Sequence, residues 1–265
     1  MSGRLSEIAL SPSEVERILA ICGREALLVG GQALAFWALY YEVQPVGVLS
    51  SAVTTDVDFI GSKAVARALW ESLGAPWELA TATLDDFSPQ TAKVYATVPH
   101  EGVKQIDFLA AIVGITTADV VERAVEVELP EGATLRVLHP LDVLESRLRN
   151  LEALSSKRNP IGVAQANLAL QVVRKFIEML LVDGEKPRNV FSAVNRVTKL
   201  ALDPGLADVA FEYGLDVLSA IPLDQIHAPD FHDRQWPRVL ARLAVKREKY
   251  VKRTARAKPP DSRDR

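Results

Sequence analysis

Two aspartates that alternate with apolar residues constrain this chain more than any other feature of its sequence. Asp56 and Asp58 flank a valine in the segment Thr55-Asp56-Val57-Asp58-Phe59. In a β-strand, residues i and i+2 point to the same face, so both carboxylates project together while Val57 and Phe59 face the core. Placing two like charges side by side on a short central strand is costly unless a cation binds them, and Mg²⁺ takes carboxylate oxygens. The pattern predicts either a cation site or a solvated strand end.

A pair of glycines marks a second candidate position. The apolar run Ala26–Val29 predicts a buried strand, and the segment Gln32–Tyr41, which has no helix breaker, predicts a helix. Gly30 and Gly31 lie between them. Glycines at such a turn let the backbone approach a ligand, and the first N–H groups of a helix attract an anion such as phosphate. A plain structural turn is the alternative, because Gly-Gly turns are common.

A third carboxylate lies inside another apolar run. Asp107 is flanked by Ile106 and Phe108, and aspartate is disfavoured in strand interiors. One explanation is an ion pair with a lysine, either Lys93 or Lys104. The other is a third metal ligand on a strand that neighbours the Asp56 and Asp58 strand.

The patterning of the chain changes near His139-Pro140. Before this dipeptide, short apolar runs alternate with turns and helical repeats; after it, apolar residues recur at intervals of three and four. We expect an α+β fold with a mixed sheet and flanking helices at residues 1–138. A C-terminal helical bundle at 139–258 and a disordered tail at 259–265 complete the predicted domains.

The same patterns predict the bounds of several elements. Two strand pairs are expected, at Lys93–Val98 with Gln105–Ala110 and at Glu126–Leu129 with Leu135–Leu138. The expected helices of the second half are Leu141–Leu154, Val163–Leu181, Val190–Ala201 and Trp236–Tyr250, with Pro204-Gly205 as a break between helices.

Charge is distributed unevenly along the 265 residues. The net charge is −3, but residues 234–265 contain 12 Lys and Arg against three acidic residues, so this segment is +9 and the rest of the chain is −12. A basic C-terminal helix is typical either of a solvated surface or of a site for RNA, such as tRNA, or for an acidic protein.

Several protein classes are excluded or disfavoured by composition. Cys22 is the single cysteine, so an intrachain disulfide and a cysteine-based zinc cluster are excluded. The first 20 residues carry charges that a secretory signal lacks, and the longest apolar run, Ala26–Tyr41, is interrupted by glycines and too short to span a bilayer. We expect a cytoplasmic protein with no membrane partner.

The order of these features resembles the signature of the nucleotidyltransferase superfamily with the polymerase-β-type fold: a Gly-Gly turn, then an Asp-x-Asp strand, then a lone Asp in a later strand. The resemblance covers roughly residues 24–110. The segments His139-Pro140-Leu141-Asp142 and Glu145-Ser146-Arg147-Leu148 extend it toward the AbiEii group of toxin-type bacterial nucleotidyltransferases. The chain departs from that pattern in two ways: 24 residues separate Gly31 from Asp56, and Arg147 stands where a lysine is more usual.

The resemblance implies a site and an activity. Asp56, Asp58 and Asp107 would hold two Mg²⁺ ions, and Asp107 would also help to deprotonate the acceptor. The implied nucleotide-binding residues are Gly30, Gly31, Gln32, Arg147 and Lys157, with Arg158 as a further phosphate contact. The implied reaction transfers a nucleoside monophosphate from an NTP to an acceptor hydroxyl of an RNA, a protein or a small molecule. A role in a toxin–antitoxin pair is also implied, and a catalytically inactive binding or regulatory protein of the same fold is the alternative.

Overall fold

The computed structural model of this chain describes residues 6–45, 56–83, 89–129 and 132–257. The chain divides into two compact units, Met1–Arg147 and Leu148–Arg265, and the division falls inside one helix. The predicted domain boundary after residue 138 stays a prediction. The predicted disordered tail, 259–265, lies outside the described residues.

The first unit contains the sheet and the helices around it. Its strands are β1 Leu27–Val29, β2 Val57–Ile60, β3 Glu78–Thr81, β4 Gln90–Val98, β5 Gly102–Leu109, β6 Val125–Glu128 and β7 Thr134–Val137. Its helices are α1 Pro12–Cys22, α2 Gly30–Tyr40, α3 Lys63–Leu73, α4 Thr117–Glu122 and the first half of α5 Pro140–Ala153.

The second unit is helical in its described part. After α5 come α6 Pro160–Val182, α7 Pro187–Leu202, α8 Pro204–Tyr213 and α9 Trp236–Ala257, with short 3₁₀ helices at Ser155–Lys157, Val217–Ala220 and Leu223–Gln225. A π-helical stretch, Phe231–Gln235, leads into α9. No helix in the described ranges combines the length and the apolar character that crossing a membrane requires.

The described strands form one mixed seven-stranded sheet in the order β3-β4-β5-β2-β1-β7-β6. The pairs β2–β5 and β1–β7 are parallel, and the remaining neighbours are antiparallel. The predicted fold class, a mixed sheet with flanking helices followed by a helical region, is therefore confirmed.

Individual elements show where local patterns succeed and where they fail. Both predicted strand pairs are present, although β4 and β5 extend further than predicted. The short exposed strand β3 was not predicted, because its residues lack the buried alternation of a typical strand. The expected break at Pro204-Gly205 is present one residue earlier, at Asp203, but the helix after it was not predicted. Pro204 begins this helix, α8, and the Asp203 side chain caps it by accepting hydrogen bonds from two backbone N–H groups.

The centre of the sheet is apolar on the buried side of each strand. Val57 and Phe59 of β2 are completely buried, and the ring of Phe59 stacks on that of Phe108 in β5 with centroids 5.6 Å apart. Trp37 of α2 is also buried, and its indole Nε1 donates a hydrogen bond to the Leu138 carbonyl at 2.7 Å. The first contact holds β2 against β5, and the second joins the C-terminal half of α2 to the residue that follows β7.

A buried ion pair joins α4 to the start of α5. The Asp142 side chain is fully buried and accepts two hydrogen bonds from Arg123, from Nε at 3.0 Å and from Nη2 at 2.9 Å. These bonds raise the pKa of Arg123. Because the bidentate geometry compensates the cost of burying the carboxylate, losing the arginine would leave that charge without its main counter-ion.

Arg123→Ala tests this ion pair. We expect a loss of about 2–3 kcal/mol in the free energy of unfolding, below the range for fully buried pairs because Arg123 is partly exposed. Urea denaturation followed by circular dichroism measures it. The control is Glu126→Gln, which removes the exposed Arg24–Glu126 pair and should cost well under about 1 kcal/mol. Equal losses in both variants would contradict the prediction.

Candidate metal centre

Strand register brings the three predicted carboxylates together. In the parallel pair of β2 and β5, Asp58 is the direct partner of Asp107, and Asp56 comes immediately before β2. One oxygen atom from each of the three carboxylates lies within 4.8 Å of the others. All three residues are half-buried. Such a cluster of anionic oxygens has the donor chemistry that Mg²⁺ prefers, so the residues fit a divalent ion.

Gly30 is required by its closeness to Asp58. Val29 pairs with Asp58 across β1 and β2, and the next residue, Gly30, begins α2 with φ of +68°. A Cβ atom at Gly30 would lie 2.0 Å from Asp58 Oδ2 and 2.9 Å from its Cγ. A side chain at this position would therefore collide with the carboxylate, in addition to the strain of a left-handed backbone.

The other predicted nucleotide-binding residues of this turn are Gly31 and Gln32. Both lie in the first turn of α2 and are half-buried. The residue before the helix, Val29, provides no side-chain hydrogen bond to the first turn. The N-terminus of α2 therefore lies beside the carboxylate of Asp58. A phosphate contact by Gly30, Gly31 and Gln32 stays a prediction.

The surroundings of Asp107 decide between its two predicted lysine partners. Lys93 is its cross-strand neighbour, with Nζ 3.6 Å from Asp107 Oδ1, whereas Lys104 binds Glu14 at 2.7 Å. Gln90 also donates a hydrogen bond to Oδ1. Asp107 thus forms the predicted ion pair, and its partner is Lys93. The same carboxylate also belongs to the acidic cluster, so both expected explanations of Asp107 apply.

Burial is the largest cause of a raised pKa at Asp107. The positive charge of Lys93 opposes this shift, and the negative charge of Asp56 adds to it. The pKa of Asp107 therefore lies above that of an ordinary aspartate in the metal-free protein. A bound cation would reverse the effect of Asp56 by neutralising the cluster.

Arg147 is buried in the first unit, with 8% of its surface exposed. Burial is the main effect and lowers its pKa, while the charges of Asp58 and Asp56 act in the opposite direction. Arginine stays protonated in proteins, so α5 supplies a permanent positive charge that interacts with the acidic pair. Its predicted contact with a nucleotide phosphate stays a prediction.

Lys157 and Arg158 belong to the second unit. Lys157 is exposed in the 3₁₀ helix Ser155–Lys157. The guanidinium of Arg158 donates hydrogen bonds to the carbonyls of Leu151 and Glu152, near the end of α5. Arg158 is thus occupied as a helix-end contact, and the predicted phosphate contact of Lys157 stays a prediction.

Local patterns missed the polar residues that surround Asp107. Gln105 accepts a hydrogen bond from Lys93 at 3.0 Å and donates one to Glu7 at 3.0 Å. With Gln90, these side chains form a network around the carboxylate. The signal in the sequence was the alternation of Gln105 and Asp107 in β5. In β4 a register shift after Gln90 breaks the alternation with Lys93, so the cluster is evident only when the register is known.

Comparison with known proteins adds little to this geometry. No family model and no curated protein matches the sequence. Among solved structures, JHP933 from Helicobacter pylori aligns over 94% of this chain and 98% of its own, with 13% identity and a TM-score of 0.37. A provisionally assigned nucleotidyltransferase from H. pylori aligns over 94% of this chain and 100% of its own, with 13% identity and a TM-score of 0.34. Similarity at this level carries no weight for function.

Gly30→Ala tests the close approach of the backbone to Asp58. We expect the new methyl group to rotate the Asp58 carboxylate away, which would weaken Mn²⁺ binding, measured by calorimetry, at least about tenfold. Gly74→Ala is the matched control, because Gly74 has φ of +69° and a Cβ atom there would meet nothing within 4 Å. Both variants should lose about 1 kcal/mol of stability from backbone strain. Unchanged Mn²⁺ affinity in Gly30→Ala would refute the prediction.

The raised pKa of Asp107 predicts a dependence of stability on pH. Because the pKa of Asp107 is higher in the folded than in the unfolded chain, its contribution to the free energy of unfolding is complete below about pH 4. This contribution disappears as pH rises through the folded-state pKa.

In metal-free protein, Asp56→Asn should lower the pKa of Asp107, as measured by carboxyl NMR titration. The exposed control Glu126→Gln should leave it unchanged; a shift with the control alone would contradict this electrostatic account.

Proposed function

We propose that this chain is a metal-dependent nucleotidyltransferase, which transfers a nucleoside monophosphate from an NTP to an acceptor hydroxyl. The observation that supports the proposal is the convergence of Asp56, Asp58 and Asp107 within 4.8 Å, beside the N-terminal end of α2. A cluster of three carboxylates is costly without a cation, and a helix N-terminus favours phosphate oxygens. The two features together fit a site for a metal-bound triphosphate.

Each side chain of the site has a defined task in this proposal. Asp56, Asp58 and Asp107 hold Mg²⁺, two ions in the proposed enzyme. When bound, the ions neutralise charge on the attacking and leaving oxygens of an in-line displacement. The backbone of Gly30 and Gly31, together with Gln32, receives the triphosphate, and Arg147 adds positive charge.

The proposed reaction forms one bond and breaks one. The acceptor oxygen bonds to the α-phosphorus of the NTP, and the bond from that phosphorus to the pyrophosphate breaks. In this proposal Asp107 helps to take up the proton of the hydroxyl. The products are the nucleotidylated acceptor and pyrophosphate.

The finer parts of the proposal come from the sequence resemblance. In this proposal the acceptor is an RNA such as tRNA, a protein or a small molecule, and the chain is one component of a toxin–antitoxin pair in the cytoplasm. A specific observation also favours the alternative of an inactive binding protein. Lys93 Nζ lies 3.6 Å from Asp107 and partly satisfies the charge that a metal ion would neutralise.

Asp58→Asn separates the two candidates. With α-labelled ATP, GTP, CTP or UTP, Mg²⁺, total RNA and lysate, the wild type should label an acceptor, and the variant should lose at least about 10³-fold in rate. The matched control is Asp230→Asn, at a carboxylate that is 85% exposed, and it should retain full activity. Labelling by Asp58→Asn at the wild-type rate would refute the metal site. If the wild type binds neither Mn²⁺ nor any of the four NTPs, the alternative of a catalytically inactive protein is favoured.

A further inference from the structure

A regular line of basic side chains extends along α9. Its members recur at intervals of three and four residues, and we term them the basic stripe: Arg238, Arg242, Lys246, Lys249, Arg253 and Arg256. At about 100° per residue these positions fall within an arc about 80° wide, and at 1.5 Å per residue they extend over about 27 Å. The stripe is therefore one side chain wide and about five turns long.

The basic stripe faces solvent with most of its charge uncompensated. Five members are exposed and Lys246 is half-buried. Arg253 binds Asp208 at 2.6 Å, and the other five members make no ion pair within the described residues. Glu248, the one acidic residue of α9, lies outside the arc and pairs with Lys252. Like charges at this spacing repel each other, so a stripe of this kind costs stability unless an anion binds it.

The apolar side of α9 packs within its own unit. The Tyr250 ring lies 5.6 Å from that of Phe211, and Leu243 lines a cavity of about 290 Å³ that Phe211 also borders. A helix that binds a membrane surface inserts its apolar face into the lipid. In α9 that face is occupied, and Arg247 separates the exposed Leu240 from Val251. An anionic membrane is therefore a poor match.

The shape of the stripe selects among polyanions. Carboxylates on a folded acidic protein are spread over a two-dimensional surface, whereas a nucleic-acid strand carries its phosphates in a line at regular intervals. A stripe only one side chain wide contacts one line of phosphates, not the two that border a duplex groove. Four of its six cations are arginines, which bind phosphate oxygens in a bidentate manner.

We propose that the basic stripe of α9 binds the phosphate backbone of single-stranded RNA without reading its bases. RNA is the strand we name because its recognition by proteins concentrates on unpaired segments. The stripe offers no aromatic side chain at its members' positions, so stacking on bases contributes little. This inference depends on the second unit alone and does not require that the chain transfer nucleotides.

The experiment measures RNA affinity against salt for the full chain. The probe is a fluorescein-labelled oligouridylate of about 20 nucleotides, in buffer with EDTA and no nucleotide, so the result is independent of the metal site. With five or six phosphate contacts, the slope of log affinity against log salt should be about −4 for a single strand. The triple variant Arg242→Gln, Lys246→Gln, Lys249→Gln should reduce the slope to about −2. At about 0.1 M salt its affinity should fall about 100-fold.

The matched control removes the same charge elsewhere in the unit. Lys186→Gln, Arg188→Gln, Lys199→Gln neutralises three exposed cations around α7 and should change the slope by less than about 0.5. Circular dichroism checks that both triple variants are folded. The proposal is overturned if the wild type does not bind the RNA or if both triple variants weaken equally. Binding of phosphatidylserine vesicles in place of RNA would also overturn it.

Discussion

The parallel pairing of β2 with β5 is the interaction on which the candidate site depends. It places Asp58 directly beside Asp107, with Asp56 at the edge of β2, so three carboxylates share a small half-buried volume. The stacked rings of Phe59 and Phe108 hold the same two strands from the opposite face. The free energy gained by burying the apolar face of the sheet thus holds together carboxylates that repel each other.

Several features around the site reduce the cost of this arrangement. Lys93 lies across from Asp107, and Gln90 donates a hydrogen bond to the same carboxylate. Arg147 adds a buried positive charge that interacts with Asp56 and Asp58. The pKa of Asp107 nevertheless stays raised, chiefly because the carboxylate is buried and in addition because Asp56 is negatively charged. A bound cation would offset both effects, since it favours the charged form of the carboxylate.

Gly30 shows how one residue serves the strand, the helix and the site together. The left-handed backbone there turns the chain from β1 into α2, and the missing side chain leaves room for Asp58. The sequence pattern predicted the turn, and it suggested that a glycine is needed there so that the backbone can approach a ligand. The structure adds a reason that lies within the protein, because the carboxylate of Asp58 occupies the place of the absent Cβ.

Local periodicity in the sequence was enough to indicate an α/β first half, a helical second half and the shared orientation of Asp56 and Asp58. These follow from contacts between residues close in the chain. Only the tertiary structure decided that Asp107 is the partner of Asp58, that Lys93 and not Lys104 binds it, and that Pro204 begins a helix. It also identified Asp142 as the buried partner of Arg123. Register between distant strands depends on the packing of the whole sheet, and no short segment of sequence carries that information.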